Sequence, residues 1–324
     1  GGARRTAPRS QLVLPKSEDV PLKLFRTAAA SALLIALAAC GSSTAAPTTT
    51  AAPATTAAPT TSAAPSTLPA DAPKAIVSLS PSATEMLFDI GAADQVLAVD
   101  DQSNFPAEAL QKPHTLSGYQ PNVEAIAALK PDLVVLSDPT IKDQLTKLGI
   151  KVWVGAAPAD LKGLYDQVNE LGSVTGHVAA AAGVVERMKS VIDLAVSTTP
   201  KTSMGTTVYH ELDPTFYSVT SNTFIGKVYA LFGLKNIADG AQPGNDYPQL
   251  NAEYIVKANP GLVVLADSKC CGATSASVST RAGWNVIDAV KNNKVIAVDD
   301  DIASRWGPRI VDFVMAVSKA LSGK

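Results

Sequence analysis

Few residues in this chain are equipped for bond-making chemistry. The three histidines stand far apart, at 114, 177 and 210. No G-x-S-x-G, P-loop, H-E-x-x-H or post-strand G-x-G-x-x-G is present, so nucleophilic catalysis and phosphate cradling have no residues to carry them. An enzyme is not expected. Cys270 and Cys271 are adjacent. With no second cysteine pair and scattered histidines they do not compose a zinc set, which leaves a vicinal disulfide or two thiols. The remaining candidates are residues that bind. Asp301 and Arg305 in DDIASRWGPR, Phe105 in DDQSNFP, Tyr119 in SGYQPN and Tyr247 in NDYPQ put charge and flat apolar faces into turn-rich sequence. Two carboxylates, Glu124 and Glu253, occupy the same place in a phrase that occurs twice.

That phrase indicates the elements that must hold these residues. NVEAIAALKPDLVVLSD (122–138) returns 129 residues later as NAEYIVKANPGLVVLAD (251–267), with 9 of 17 positions identical. In each copy Asn is a good N-cap, and Glu in the first turn faces the positive end of the helix dipole. A proline, Pro131 or Pro260, stops the helix, and LVVL reads as a short, fully buried strand. Each copy is thus the helix-to-strand half of a parallel α/β layer. The flanking sequence agrees: AIVSLS, QVLAVD and KVWVG are strands in the first half, and TTVYHEL and KVIAVDD are strands in the second. Between the halves, about forty residues repeat Leu and Val near a 3.6 period, with a break around Gly172–Gly176 and one long helix expected over about 176–196. The expected fold class is α/β, with two pseudo-symmetric lobes bridged by one long α-helix. The boundaries are 72–157 for the N-terminal lobe, 158–204 for the bridging helical segment and 205–324 for the C-terminal lobe. Ligands of such a fold belong at the mouths of the two sheets, at Ser80–Ser82, 101–105 and Tyr119 in the first lobe and at 211–217, Tyr247 and 301–305 in the second.

Residues 1–39 are read as a signal peptide with an upstream extension. Lys23 and Arg26 precede the apolar run AAASALLIALAA, which is too short to span a bilayer. The ending LAAC-Gly41 resembles a bacterial lipobox, which implies lipidation of Cys40. The n-region belongs near a start, so translation is expected to begin at Val20. Residues 40–70 then follow as the lipidated Cys and a disordered Ala/Thr/Pro tether without charge or aromatic, able to span roughly 30 Å as a coil. The whole chain carries 27 basic and 29 acidic residues, and without the six basic and two acidic residues of 1–39 the net charge is −6. That argues against nucleic acid as a partner.

SLSPSATEMLFDIGAADQVLAVDDQSNFP and the two N-x-E-x-I phrases, set in two α/β lobes with a helical bridge, resemble the class III solute-binding proteins of ABC importers. The likeness covers about 72–322, lies within the iron-chelate and cobalamin branch, and is closest to its cobalamin-binding members. It implies an extracytoplasmic monomer, lipid-anchored to the outer face of the cytoplasmic membrane. It also implies a ligand held between the lobes and passed to a permease dimer with a cytoplasmic ATPase. Glu124 and Glu253 then dock on permease arginines, one carboxylate per lobe suiting two equivalent basic pockets. The branch carries an aromatic before each N-x-E helix, met here by Tyr119 and Tyr247, and an Asp and Arg four apart, met by Asp301 and Arg305. Both aromatics are Tyr where the branch has Trp, and Tyr119 stands one residue out of register. Phe105 joins them as a ligand-facing residue. No cofactor or metal is implied. The expected ligand is cobalamin or a related corrinoid. The alternative is haem, with Tyr119 or His210 as axial ligand, or a ferric siderophore, for which Arg305 and Arg309 are few cations. Trp153 and Trp284 are expected in the core, Trp306 as packing, and Arg309 paired with a core carboxylate or carbonyl.

Overall fold

The computed structural model describes residues 68–323. The leader, Cys40 and the tether up to residue 67 lie outside them, as does the expected start at Val20. No helix among the described residues is long and apolar enough to cross a membrane.

The N-terminal lobe runs β1 (Ile76–Leu79), α1 (Pro81–Asp89), β2 (Val96–Val99), α2 (Val123–Ala128), β3 (Leu133–Leu136), α3 (Lys142–Lys147) and β4 (Lys151–Val154). Two helices follow, α4 (Leu161–Thr175) and α5 (Val178–Thr198). The C-terminal lobe runs β5 (Thr207–Glu211), α6 (Phe224–Leu231), β6 (Lys235–Asn236), α7 (Ala252–Ala258), β7 (Leu262–Leu265), α8 (Ser268–Cys271), α9 (Ser275–Ser279), α10 (Asp288–Lys291), β8 (Val295–Ala297), α11 (Asp300–Ser304) and α12 (Ile310–Ser322).

The two sheets have the same order, β2-β1-β3-β4 and β6-β5-β7-β8, and every pairing is parallel. The repeated LVVL forms β3 and β7, each flanked on both sides and buried at all four positions. Period-two alternation divides their side chains between two cores. Leu133, Val135, Leu262 and Val264 join one apolar cluster with α4, α5 and α12 that runs through both lobes. Val134 and Leu136 pack in a private cluster of the first lobe, and Val263 and Leu265 in one of the second. The phrase recurs because the two lobes repeat one layout, in which a capped helix feeds a central strand buried on both faces.

The caps follow from the sequence. Asn122 accepts from the Ala125 N–H and Asn251 from the Tyr254 N–H, at 3.0 and 2.9 Å. Each helix then ends on a left-handed residue just before its proline, Lys130 at φ 52° and Asn259 at φ 48°. Ser80 caps α1 by accepting from the Ala83 N–H, with Pro81 in its first turn. The bridge is a hairpin of helices. Gly176 closes α4 with φ 83°, and α5 turns back along it, with Gly172 so close to Ala181 that no Cβ fits between them. The 21 residues of α5 reach about 32 Å. At its start His177 bonds Gln95 of the first lobe, and at its end Thr199 bonds Ser318 of the second.

Candidate functional site

In a parallel sheet every strand delivers its following loop to the same edge. The loop after β2, the start of α1 and helix α11 after β8 therefore meet where the lobes face each other. α11 begins at the Asp299 cap, whose side chain accepts from the Asp301 N–H. One turn on, Arg305 returns to Asp301, with Nη2 2.8 Å from Oδ1. The same guanidinium crosses to the first lobe. Nη1 donates to Glu85 Oε1 at 3.1 Å and to Asn104 Oδ1 at 2.9 Å, and Nη2 donates to the Gln102 carbonyl at 2.9 Å. Asn104 Nδ2 donates to Asp301 Oδ2 at 3.0 Å. Lys269 Nζ, from α8, holds the same Asp301 oxygen at 2.8 Å and Asp299 at 3.0 Å. Arg309 Nε donates to Glu85 Oε2 at 3.0 Å. Trp306 Nε1 donates to the Gly155 carbonyl.

This junction is a charged latch. Burial alone raises the Asp301 carboxyl, but hydrogen bonds from Lys269 and Asn104 and the charge of Arg305 hold it below the usual carboxylate range. The Asp301 partner raises Lys269 in turn. Burial opposes the charge on Arg309, and the Glu85 carboxylate more than restores it. Both terminal nitrogens of Arg305 are occupied by protein acceptors.

Aromatics flank the latch. The Arg309 guanidinium lies 4.0 Å from the centroid of the Phe105 ring, a cation–π contact. Phe105 also lines a cavity of about 480 Å³ against the spine, with Phe88, Met188 and Pro308. Tyr247 lines a separate cavity of about 330 Å³ with Trp306, Phe224 and Pro158. Tyr119 is 86% exposed and lines neither of these. The structure thus gathers Phe105, Asp301 and Arg305, sets Tyr247 on the next flank through Trp306, and leaves Tyr119 standing free on the first lobe. The position before Tyr119 has little room for a side chain: a Cβ on Gly118 would sit 2.6 Å from Asp100 Oδ2 and 3.2 Å from the Leu79 carbonyl. Glu124 and Glu253 are exposed in the first turns of α2 and α7.

Several expected placements are corrected. His210 cannot be an axial ligand: it is wholly buried, and its Nδ1 meets the Tyr229 hydroxyl at 2.7 Å between the rings of Tyr229 and Phe313. Burial pushes its pKa down to about 3. Glu211 is not on a ligand face, being fully buried and gripped by both Arg281 Nη atoms at 2.6 Å. Phe216 stacks on Trp284 instead of facing the lobe junction. Ser80 and Ser82 are buried, Ser80 as a cap and Ser82 accepting from the Trp306 N–H. Trp153 and Trp284 are core, and Arg309 does pair with a buried carboxylate. Sequence reasoning missed Glu85 and Lys269. The available signal for Glu85 was a carboxylate in the middle of α1, where Ser82 to Leu87 are all buried, unlike Asp89 at the helix end. Lys269 gave no signal, since a lone lysine in a loop-like stretch reads as solvated.

Two α/β lobes with a helical bridge and a polar junction define a solute-binding protein of the helical-spine class. The model of the family described as periplasmic binding protein matches residues 76–302, and the chain belongs to that family. It is 30% identical over 259 residues to the uncharacterized ABC transporter substrate-binding lipoprotein YvrC of Bacillus subtilis, covering 77% of this chain and 80% of the relative. It is 31% identical over 257 residues to a cobalamin-binding protein of Halobacterium salinarum, covering 76% and 69%. Among solved structures, the periplasmic vitamin B12 binding protein BtuF of Vibrio cholerae superposes with a TM-score of 0.66 at 23% identity, over 77% of this chain and 96% of that one. The periplasmic heme binding protein HutB of Vibrio cholerae does so at 0.66 and 20% identity, over 76% and 97%. The chain is therefore a substrate-binding protein of an ABC import system, working outside the cytoplasm, and not an enzyme.

Proposed function

We propose that this protein captures cobalamin or a related corrinoid between its lobes and hands it to an ABC permease dimer through Glu124 and Glu253, tethered by a lipid on Cys40. The observation that carries the ligand class is the charge balance of the junction. Four carboxylates, Glu85, Asp299, Asp300 and Asp301, stand against three cations, Lys269, Arg305 and Arg309, and each cation is already paired. An anionic edge such as a catecholate or propionate finds no spare cation in this group. A corrin presents neutral amides, which exchange hydrogen bonds with Asp301 and Arg305 and bring no net charge. Phe105, Tyr119 and Tyr247 supply aromatic surface for the apolar macrocycle face. The cobalamin-binding relative in Halobacterium salinarum supports the same class.

One observation favours a second reading, haem. The Tyr119 phenol is 86% exposed and free to approach an iron centre, where a tyrosinate is a suitable axial ligand. A calorimetric titration of the purified protein with cyanocobalamin, hemin and a ferric catecholate siderophore separates the cases. Heat with cyanocobalamin alone is the expected result. A Soret shift with hemin and no heat with cyanocobalamin transfers the site to haem.

A further inference from the structure

The disulfide between Cys270 and Cys271 lies in α8, next to the junction and outside every role assigned so far. A four-residue helix has no stability of its own. Hydrogen bonds hold α8 at one side: Ser268 Oγ donates to the Val298 carbonyl, and the Asp300 carboxylate accepts from the N–H groups of Lys269 and Cys270 at 2.9 and 2.8 Å. The bonded sulfurs close a ring at the other, and both cysteines are exposed. The residue between these two holds is Lys269, whose Nζ grips Asp301, and Asp301 also takes the Asn104 amide of the opposite lobe and the Arg305 guanidinium. One side chain thus separates the disulfide from the contacts that tie the lobes.

We propose that Cys270–Cys271 is a thiol-responsive modification site that positions Lys269 and thereby sets how firmly Asp301 and Arg305 join the lobes. The co-reactant is a dithiol, small or borne by an oxidoreductase. One of its thiolates attacks an exposed sulfur, forms a mixed disulfide and releases the other cysteine as a thiolate. The second thiol of the reagent resolves the intermediate and leaves in an intramolecular disulfide. Two electrons pass to the chain, and two protons end on Cys270 and Cys271. Outside the cytoplasm the bonded form is the resting one. Without the ring, α8 is held by its hydrogen bonds to Asp300 and Val298 and by the main-chain bonds of Cys271 and Ala273 to Asp267 and of Gly272 to Ser268; it opens more often, and Lys269 leaves Asp301. Weakened ligand retention follows, and that consequence alone rests on the function proposed above.

The test uses the purified protein. Thiol titration after unfolding should find Cys270 and Cys271 oxidised as isolated and two further thiols after dithiothreitol. Limited trypsin treatment, read by mass spectrometry, should cut after Lys269 about tenfold faster once the protein is reduced, because cutting follows local opening. The C270S/C271S variant should be cut at that faster rate without reductant, with its urea midpoint close to wild type. Whichever of cyanocobalamin or hemin binds should bind roughly three- to tenfold more weakly to C270S/C271S and to K269Q, with no further loss when the changes are combined. Free thiols in the isolated protein, unchanged cutting after Lys269, or losses that simply add would each overturn the proposal. If neither probe binds wild type, the ligand assignment falls, and the trypsin result still decides the role of the disulfide.

Discussion

Glu85 on the first lobe and Arg305 on the second meet at 3.1 Å, and the same carboxylate takes Arg309. The Glu85 side chain is 2% exposed, so this is a buried ion cluster that joins two chain segments 220 residues apart. Glu85→Ala leaves two guanidinium groups without their shared acceptor. Removing one partner of a buried pair costs about 3 kcal/mol. Urea unfolding should show that loss, and a loss below about 1 kcal/mol would mean solvent already screens the cluster.

A second buried carboxylate adds a pH dependence to stability. Glu211 ends β5 and Asp267 lies two residues past β7, near enough for the Glu211 charge to act on it; both are fully buried, and neither Asp267 oxygen has a hydrogen-bond partner among the described residues. Burial first, and then the Glu211 charge, push Asp267 up to about 6. An unfolded Asp titrates near 3.9, so between these values the folded chain holds a proton that the unfolded chain has released. This contribution to stability is complete below about pH 4 and is lost as pH rises through about 6, a change on the order of 2–3 kcal/mol. Asp267→Asn should match wild type at pH 4 and exceed it at pH 8. Equal stability of the two proteins at pH 8 would refute the assignment.

Position 118 is closely packed against Asp100. Gly118→Ala brings a Cβ to 2.6 Å from Asp100 Oδ2, and Asp100 is itself buried. The expected cost is about 1–3 kcal/mol, read from thermal unfolding. Pairing it with Asp100→Ala should recover part of that loss, since the carboxylate is the nearest obstacle. An undiminished loss would place the strain on the Leu79 carbonyl instead.

The repeated phrase made both lobes legible, because a strand buried on two faces and a capped helix leave local signatures. Asn122, Asn251, Pro131 and Pro260 act within a few residues of themselves. The junction was legible only in part. Arg305 and Asp301 announce themselves as a charged pair one helical turn apart. Glu85, Asn104 and Lys269 become their partners through contacts spanning about 32 to 220 residues, which no local pattern records. His210 illustrates the converse. A lone His inside an apparent strand is usually just hydrogen-bonded, and the Tyr229 hydroxyl and the rings of Tyr229 and Phe313 around it bear out that reading over the axial-ligand alternative.

The two helix ends offer a stabilising change. Lys130 and Asn259 occupy equivalent left-handed positions, at φ 52° and 48°. That conformation is costly for most side chains and least so for Gly, Asn and Asp. Lys130→Asn copies the second lobe into the first and should raise stability by about 0.5–1 kcal/mol. A calorimetric melt with unchanged or lowered midpoint would show that Lys130 makes a compensating contact.

Glu124 and Glu253 sit at the same position of equivalent helices, both are exposed, and neither forms a salt bridge among the described residues. Each gains about 0.3–1 kcal/mol from its helix N-terminus, so single replacement by Ala should barely alter folding. If they serve as a matched pair for a two-fold permease, either single replacement should weaken uptake, and the E124A/E253A double variant should abolish it while ligand affinity stays at the wild-type level. Arg305→Ala should show the opposite pattern, losing affinity first. Whole-cell uptake measured beside calorimetry on the same variants distinguishes the two. Normal uptake by E124A/E253A would reduce both carboxylates to helix-capping charges and move the permease contact elsewhere on the lobes.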